Sequence, residues 1–552
     1  MSRKKKTSTR SGKPRGTSPV ARSAGAGAAR FGRLRRWATS DFAWVAGLTL
    51  LAWVHRVLFL LSNRDRDWPF TIFYQGDAQA FFLHARALLA GQPYDEGIPF
   101  HPPGFPLLLS AVHWLFGASG AGPIPHRSIK IFLALVSSAA VGFLFLLAKP
   151  YLGRAAAAVG SLLLTYHFGH YVLSIAPVGE GVFLTLLLAT LCWWTRRFDH
   201  PLSIPRPHGG AAPHRRRDGL ALGLLGGALA LLRFESVLLF GGLVVLGLFG
   251  DVGRRRRGDR LWPRAGVWVA AVAGWWLVVS PWTLRNYKTL SDFNERMAGR
   301  IAEPLPTFVP VTIYGPINLA LANQAGATGG FSPEALTGAT GGGSLDLTRP
   351  KHLEWLLHGD RIAWRWIAEH PGDFAALVLR KWHLAGEVFS LGFLQGNVPG
   401  GLDGVRRPID IFVPENQSLG WLMPIVILGG LGVAMSRGGG ARRYLGLVAL
   451  VGGCFLITTA LFYGYVRLAL LVLPLGLAFA GSLVEGLVDA LRRRGVRPEV
   501  WCWGVAALIV GLLAVEAASS RADRNFKASA SSTVDGHHLN PDDEILLELI
   551  ED

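Results

Sequence analysis

The segment QGDAQAFFLHARALLAGQPYDEGIPFHPPG, residues 75–104, lies between two long apolar parts of the chain. Asp77 stands where a helix would begin, apolar and aromatic side chains recur at helical spacing after it, and Gly91 is placed to end that helix. A His-Pro-Pro-Gly turn at 101–104 follows, and its two prolines restrict the backbone. The segment predicts an ordered helix-turn unit next to a membrane, with an acidic residue at its start.

The rest of the chain predicts an integral membrane protein. Half of its 552 residues are hydrophobic, and many runs reach the roughly 18 residues that cross a hydrocarbon core of about 30 Å. These runs are continuously apolar and do not alternate, which favours helices over a barrel. We therefore predict an all-α polytopic membrane protein of about 11 transmembrane helices, with two large external loops that carry juxtamembrane helices.

The placement of basic residues predicts how the chain is oriented in the membrane. The net charge of +19 is concentrated in the N-terminal arm and in short clusters between apolar runs, which is typical of cytoplasmic loops and argues against one nucleic-acid-binding face. With the N-terminus inside, the predicted spans are 42–62, 128–148, 155–173, 179–195, 219–232, 236–250, 265–282, 420–436, 444–463, 466–486 and 501–518. Residues 105–116 are too short to span and are predicted to lie in the interface.

Five regions follow from this topology. In chain order they are a disordered basic cytoplasmic arm (1–41), an N-terminal transmembrane module (42–282) with the external loop 63–127, a large external loop with amphipathic helices (283–419), C-terminal transmembrane helices (420–518) and an acidic external tail (519–552). The predicted location is a bacterial inner (plasma) membrane, with the site on the external side.

The motif in the opening segment resembles a known family. The spacing Asp-x-x-x-aromatic-x-x-x-Ala-x-x-Leu-x-x-Gly-x-x-Tyr followed by HPPGFPLL is similar to the first external loop of GT-C superfamily glycosyltransferases; it is met by Asp77, Phe81, Ala85, Leu88, Gly91, Tyr94 and residues 101–108. Within that superfamily it most resembles the protein O-mannosyltransferase and aminoarabinose-transferase type, labelled dolichyl-phosphate-mannose-protein mannosyltransferase-like. Similar segments recur in order at 176–188, 280–290, 308–324, 370–382 and 463–479.

The resemblance implies a chemistry. It implies transfer of a hexosyl or pentosyl group from a polyprenyl-phosphate donor to an external acceptor, which is a protein, a lipid or a polysaccharide, with inversion at the anomeric carbon. Such a transfer needs a base for the acceptor proton, and Asp77 is the candidate in the catalytic loop 63–127. Many relatives carry two adjacent acids here, whereas this chain has Asp77 followed by Ala78. The sequence establishes no cofactor; a divalent cation is left open, with Asp77 its candidate ligand.

Four cations at predicted external ends of spans are candidates to bind the donor phosphate, because phosphate offers several acceptor oxygens. They are Arg233, Arg285, Lys381 and Arg467. Arg467 follows Tyr465 closely, and both are assigned to the substrate site. Each cation has a structural alternative: an ion pair with Glu235 for Arg233, and anchoring or snorkelling at a span end for the other three.

Three further residues complete the predicted substrate site. Glu180 lies near the external end of an apolar span, where a carboxylate should face a cavity or a cation. His101 could orient the phosphate or acceptor, or simply hold the turn before the prolines. Asn318 could bind sugar hydroxyls or form a turn. Two other functions stay open: a lipid or glycolipid transporter or flippase, and a catalytically inactive GT-C scaffold.

Overall fold

The computed structural model describes residues 40–61, 77–117, 126–204, 215–253, 262–331, 336, 345–386, 388 and 417–494. Every secondary-structure element in these ranges is helical, as the hydropathy pattern predicts. The predicted N-terminal arm, the last predicted span, the acidic tail and part of the Gly/Thr-rich stretch of the second loop lie outside the described residues.

The described residues of the N-terminal module form ten α-helices, the last of which continues past residue 282. They are α1 (Asp41–Leu61), α2 (Asp77–Leu89), α3 (Gly104–Leu115), α4 (His126–Leu152), α5 (Arg154–Tyr166), α6 (Phe168–Ile175), α7 (Glu180–Arg197), α8 (Arg216–Leu232), α9 (Ser236–Gly253) and α10 (Trp262–Arg296), with a single 3-10 turn at Tyr94–Gly97 between α2 and α3. The remaining helices are α11 (Gly315–Ala322), α12 (Pro350–Glu369), α13 (Pro371–Gly386), α14 (Gln417–Ser436), α15 (Gly439–Leu461), α16 (Val466–Ala469) and α17 (Leu473–Arg493).

The chain has the helices of a multi-pass membrane protein, but the count of about 11 spans is not confirmed. Within the described residues, 5 helices are long and apolar enough to cross a membrane, or up to 6 if a bent pair forms one span. The bent pair is α6 with α7, which meet at 107°. Two other predicted spans fall on shorter apolar stretches, Ser236–Gly250 within α9 and Met423–Ser436 within α14.

Three predicted spans differ from the helices observed. The span predicted at 155–173 is divided at His167 into α5 and α6. The span predicted to end at residue 282 continues without a break to Arg296, through Pro281, so α10 extends from the bundle into the second loop region. The span predicted at 466–486 is divided into α16 and α17, and Pro474 stands in the first turn of α17. Proline lacks an N–H and suits a helix start, which explains why a new helix begins there.

Glycines allow the backbones of α8 and α10 to touch. A Cβ added at Gly223 would overlap the carbonyl oxygen of Ala271, and one at Gly219 would overlap that of Val267. Since lipid tails are as apolar as leucine, helices in membranes associate through such close backbone packing. These small residues hold the short helix α8 against α10, the longest of the described helices.

We expect Gly223→Ala to destabilise the bundle. The added methyl group has no space, so overpacking should lower the thermal unfolding midpoint in detergent by at least about 3 °C. Gly241→Ala is the matched control, because Gly241 lies on the neighbouring helix α9 and a Cβ added there would have nothing within 4 Å. The control should unfold at or slightly above the native midpoint, since alanine favours helix. Equal midpoints for the two variants would contradict this packing.

The two predicted external loops share a hydrophobic cluster separate from the core of the bundle. Ile98 from the first loop, Val309 and Ile317 from the second, and Tyr463 from the turn after α15 belong to it. The backbone N–H of Ile313 donates to the carbonyl oxygen of Pro99 at 2.9 Å. This cluster fixes the first loop against the second, and with it the polar residues described next.

Candidate active site

Asp77 begins α2, and the predicted helix of the opening segment is confirmed. The helix ends at Leu89, and Gly91 follows with φ +65°, a left-handed conformation that glycine adopts without a Cβ penalty. Asp77 keeps 43% of its side-chain surface exposed. The neighbouring Ala78 is buried, so the helix start presents the carboxylate while the next side chain packs inward.

Asp77 belongs to a row of paired side chains in which acidic and basic groups alternate. Its carboxylate contacts the guanidinium of Arg467, whose Nη1 also lies 3.7 Å from Glu180 Oε1. The Nη1 atom of Arg233 donates to the same Glu180 oxygen at 2.9 Å, and its Nε donates to Glu235 at 2.7 Å. Of the predicted site residues, the structure thus brings Asp77, Glu180, Arg233 and Arg467 together.

Each of these side chains comes from a break between helices. Glu180 opens α7 directly after the bend from α6, Arg233 occupies the gap between α8 and α9, and Arg467 lies in the single turn of α16. Charged groups are costly within apolar helices, and they are tolerated where helices end and partners can reach them. The Tyr465 ring lies 5.1 Å from the Arg467 guanidinium carbon, as a cation–π neighbour.

Arg285 contacts the first loop from α10. Its Nη2 donates to the carbonyl oxygen of Tyr94 at 3.1 Å, and its guanidinium carbon lies 4.8 Å from the Trp282 ring centroid and 5.5 Å from that of Tyr94. These contacts hold the 3-10 turn in place. The predicted role of Arg285 in phosphate binding stays a prediction.

His101 has partners that the sequence did not indicate. Its Nδ1 lies 3.0 Å from Asp95 Oδ2 and 3.2 Å from Nε2 of His84, and His84 Nε2 lies 3.4 Å from Asp95 Oδ1. Burial lowers the pKa of His84 to about 4. For Asp95, burial alone would raise the pKa, but the hydrogen bond and charge of His101 hold it below its usual range.

These three side chains are the one group within the described residues whose composition and spacing suit a metal ion. Asp77, the predicted candidate ligand, does not belong to the group. The sequence pattern assigned no role to His84 or Asp95. The available signal was weak: an acid and a histidine six residues apart, on either side of a Gly-containing turn.

Lys381 and Asn318 lie in the second predicted loop, apart from the group around Asp77. Lys381 is fully buried, and its Nζ donates to Asn323 Oδ1 and to the carbonyl oxygen of Ala460, both at 2.9 Å. Asn318 Oδ1 accepts a 3.4 Å contact from the Tyr463 hydroxyl. These contacts tie α13 and α11 to the end of α15, and no described contact joins them to Asp77. Their predicted roles toward phosphate and sugar stay predictions.

The buried Lys381 should make the free energy of unfolding increase as the pH rises. Burial lowers its pKa from 10.5 to about 7. Between these values the folded chain binds fewer protons than the unfolded chain, so the unfolding free energy should rise with pH by up to about 1.4 kcal/mol per unit. We expect Lys381→Met to remove this rise in detergent unfolding curves recorded between pH 7 and 9. Lys351→Met, on an exposed face of α12, controls for the loss of a lysine; parallel curves for native protein and Lys381→Met would contradict the assignment.

Comparisons with known proteins find similar structures only. No family model matches the chain, and no curated protein matches it by sequence. The oligosaccharyltransferase of Archaeoglobus fulgidus in its apo form is similar, with a TM-score of 0.45 and 14% identity over 86% of this chain and 55% of that one. The same enzyme in complex with an inhibitory peptide and a dolichol-phosphate gives 0.42 and 13%, over 86% and 54%.

ArnT from Cupriavidus metallidurans, bound to undecaprenyl phosphate, is also similar, with a TM-score of 0.32 and 15% identity over 80% of this chain and 77% of that one. The chain spans about half the length of the archaeal oligosaccharyltransferase that it matches. Sequence identities and TM-scores this low do not assign the chain to a family.

Proposed function

We propose that this protein is a membrane glycosyltransferase that transfers a hexosyl or pentosyl group from a polyprenyl-phosphate donor to an acceptor on the external side of the membrane. The observation that carries the proposal is the convergence of Asp77 with Arg467, Glu180 and Arg233, from four separate parts of the chain. A candidate base and two guanidinium groups then share one site, which is what an inverting transfer from a lipid phosphate requires.

In the proposed reaction, Asp77 accepts the proton of the acceptor hydroxyl as its oxygen attacks the anomeric carbon. The bond from that carbon to the phosphate oxygen breaks, and its electron pair leaves with the lipid phosphate. Arg467 and Arg233 stabilise the departing phosphate charge, and Glu180 orients both guanidinium groups. Electrostatic stabilisation at such a position is commonly the largest contribution to catalysis.

Arg467 links the candidate base to the proposed donor site, because its guanidinium contacts the Asp77 carboxylate. In the proposed complex the donor phosphate binds the same guanidinium and competes with Asp77 for it. Donor binding then frees the Asp77 carboxylate to contact the acceptor hydroxyl.

The distribution of buried cations also supports an enzyme over the transporter alternative. Arg56 and Lys130 are fully buried in the helix bundle. Arg56 lies near the C-terminal end of α1 and Lys130 near the start of α4, the ends that flank the first loop. A transporter would place such groups near the bilayer midplane. Here they lie at the same side of the predicted topology as Asp77.

The test is a donor screen with purified protein in lipid vesicles. Radiolabelled polyprenyl-phosphate sugars are offered as a panel, with a host membrane extract as acceptor, to native protein and to Asp77→Asn matched for folding. We expect label from one donor to move to the acceptor with native protein only. Movement of intact labelled donor across the vesicle membrane, with no transfer of sugar, would support the flippase alternative and overturn the enzyme proposal.

A further inference from the structure

We propose that His84, Asp95 and His101 form a binding site for a divalent transition-metal ion, with zinc the preferred ion. The site lies on the same helix as the candidate base. It contains none of the four residues that carry the proposed function, namely Asp77, Arg467, Glu180 and Arg233. It goes beyond the proposed function, because a metal-binding measurement does not depend on any transfer reaction.

The first argument is the spacing of the ligand atoms. The three side chains approach one another at 3.0, 3.2 and 3.4 Å, with the two histidines near different oxygens of the Asp95 carboxylate. Ligands on a tetrahedral zinc ion at bond lengths of about 2.0–2.2 Å are separated by roughly 3.3–3.6 Å. With one ligand atom taken from each side chain, all three atoms lie within 4.8 Å of one another, so modest side-chain shifts suffice for one ion to contact all three.

The second argument is the chemistry of the ligand set. Two imidazole nitrogens and one carboxylate oxygen suit zinc and its transition-metal neighbours, whereas magnesium and calcium prefer oxygen alone. Three protein ligands leave a further coordination position for water or substrate.

The third argument is that the surrounding backbone is fixed to support these ligands. Asp95 has φ +53°, and it is the one non-glycine residue with a positive φ among those described. Its Oδ2 also accepts the backbone N–H of His101 at 2.7 Å, and the Tyr94 hydroxyl donates to the carbonyl oxygen of His101 at 3.1 Å. Metal sites are commonly supported by hydrogen bonds of this outer shell.

The position of the site indicates what a bound ion would do. His84 lies seven residues after Asp77, on the same face of α2 and about two turns, or roughly 10 Å, along the helix. An ion there would not bind Asp77 itself. It would fasten α2 to the turn that carries Asp95 and His101, and so hold Asp77 in place relative to the loop. The ion is proposed as a positioning element of the first loop.

The first experiment is the metal content of native protein purified with an affinity tag that contains no histidine. We expect about one zinc per chain by mass spectrometry, and at least a tenfold lower content in His84→Asn, His101→Asn and Asp95→Asn. His370→Asn, an exposed histidine on the second loop, controls for histidine loss, and a double variant of His537 and His538 controls for the pair in the tail. Equal zinc in native and cluster variants would overturn the proposal.

A second measurement needs no variant. Native protein is stripped with a chelator and titrated with zinc, cobalt(II) or magnesium, and thermal unfolding is followed. Zinc and cobalt should raise the unfolding midpoint, because an ion that binds only the folded state stabilises it, and cobalt should show the visible absorption of a four-coordinate site. Magnesium should have no effect. An unchanged midpoint and a colourless cobalt sample would show that the three side chains form only a hydrogen-bonded cluster.

Discussion

Asp77→Asn is expected to lower the rate of sugar transfer by about 10²- to 10⁴-fold, the usual contribution of a general base. The substitution keeps the size and one oxygen acceptor of the side chain but removes its capacity to take a proton at neutral pH. Donor binding should be retained or tightened, because Asp77 no longer competes with the phosphate for Arg467. The loss should therefore appear in kcat and not as a higher KM for the donor.

Two variants make this result specific. Asp77→Glu retains a carboxylate at a shifted position and should keep a measurable part of the activity. Asp360→Asn makes the same chemical change at an exposed position of α12 and should transfer sugar at the native rate. If Asp77→Asn transferred within threefold of native protein, another group would have to accept the proton, and the proposed mechanism would be wrong at its central step.

Arg233→Met is expected to be the most destabilising change at the site, costing about 3 kcal/mol of unfolding free energy. Glu180 has only 4% of its side chain exposed, and Arg233 is its nearest cation. Removing that cation leaves a buried carboxylate whose remaining partner, Arg467, is 3.7 Å away. Glu235, which also loses its partner, has 30% of its side chain exposed and can be hydrated.

The double variant Glu180→Gln with Arg233→Met should recover a good part of that loss, because no buried charge is then left unpaired. Arg349→Met is the matched control: Arg349 is 64% exposed in its pair with Asp346, and surface pairs contribute about 0–1 kcal/mol. The measurement is denaturant unfolding in detergent micelles. A double variant as unstable as Arg233→Met would mean that Arg233 acts through packing and not through the charge of Glu180.

Local patterns in the sequence predicted the helices that carry the site. The spacing of apolar residues, the acid at the start of α2 and the glycine at its end are local properties, so the opening segment folds as its own residues indicate. The same holds for α3, whose short apolar run at 104–115 is a helix. Charged residues at the ends of apolar runs likewise indicated that Glu180, Arg233 and Arg467 need partners, since unpaired charges are costly there.

The identity of those partners is a tertiary property. Glu180 and Arg467 lie 287 positions apart in the numbering, and only the packing of α7 near α16 makes them neighbours. The division of the last described span followed from Pro474, a signal that hydropathy averaging conceals. His84, Asp95 and His101 come together because Gly91 turns the chain back along α2 and Asp95 adopts a rare backbone conformation. Sequence alone therefore determined which helices form and which charged residues need a partner. Long-range packing decided which charged residues pair with each other, because contacts between distant residues leave no periodic pattern in a single sequence.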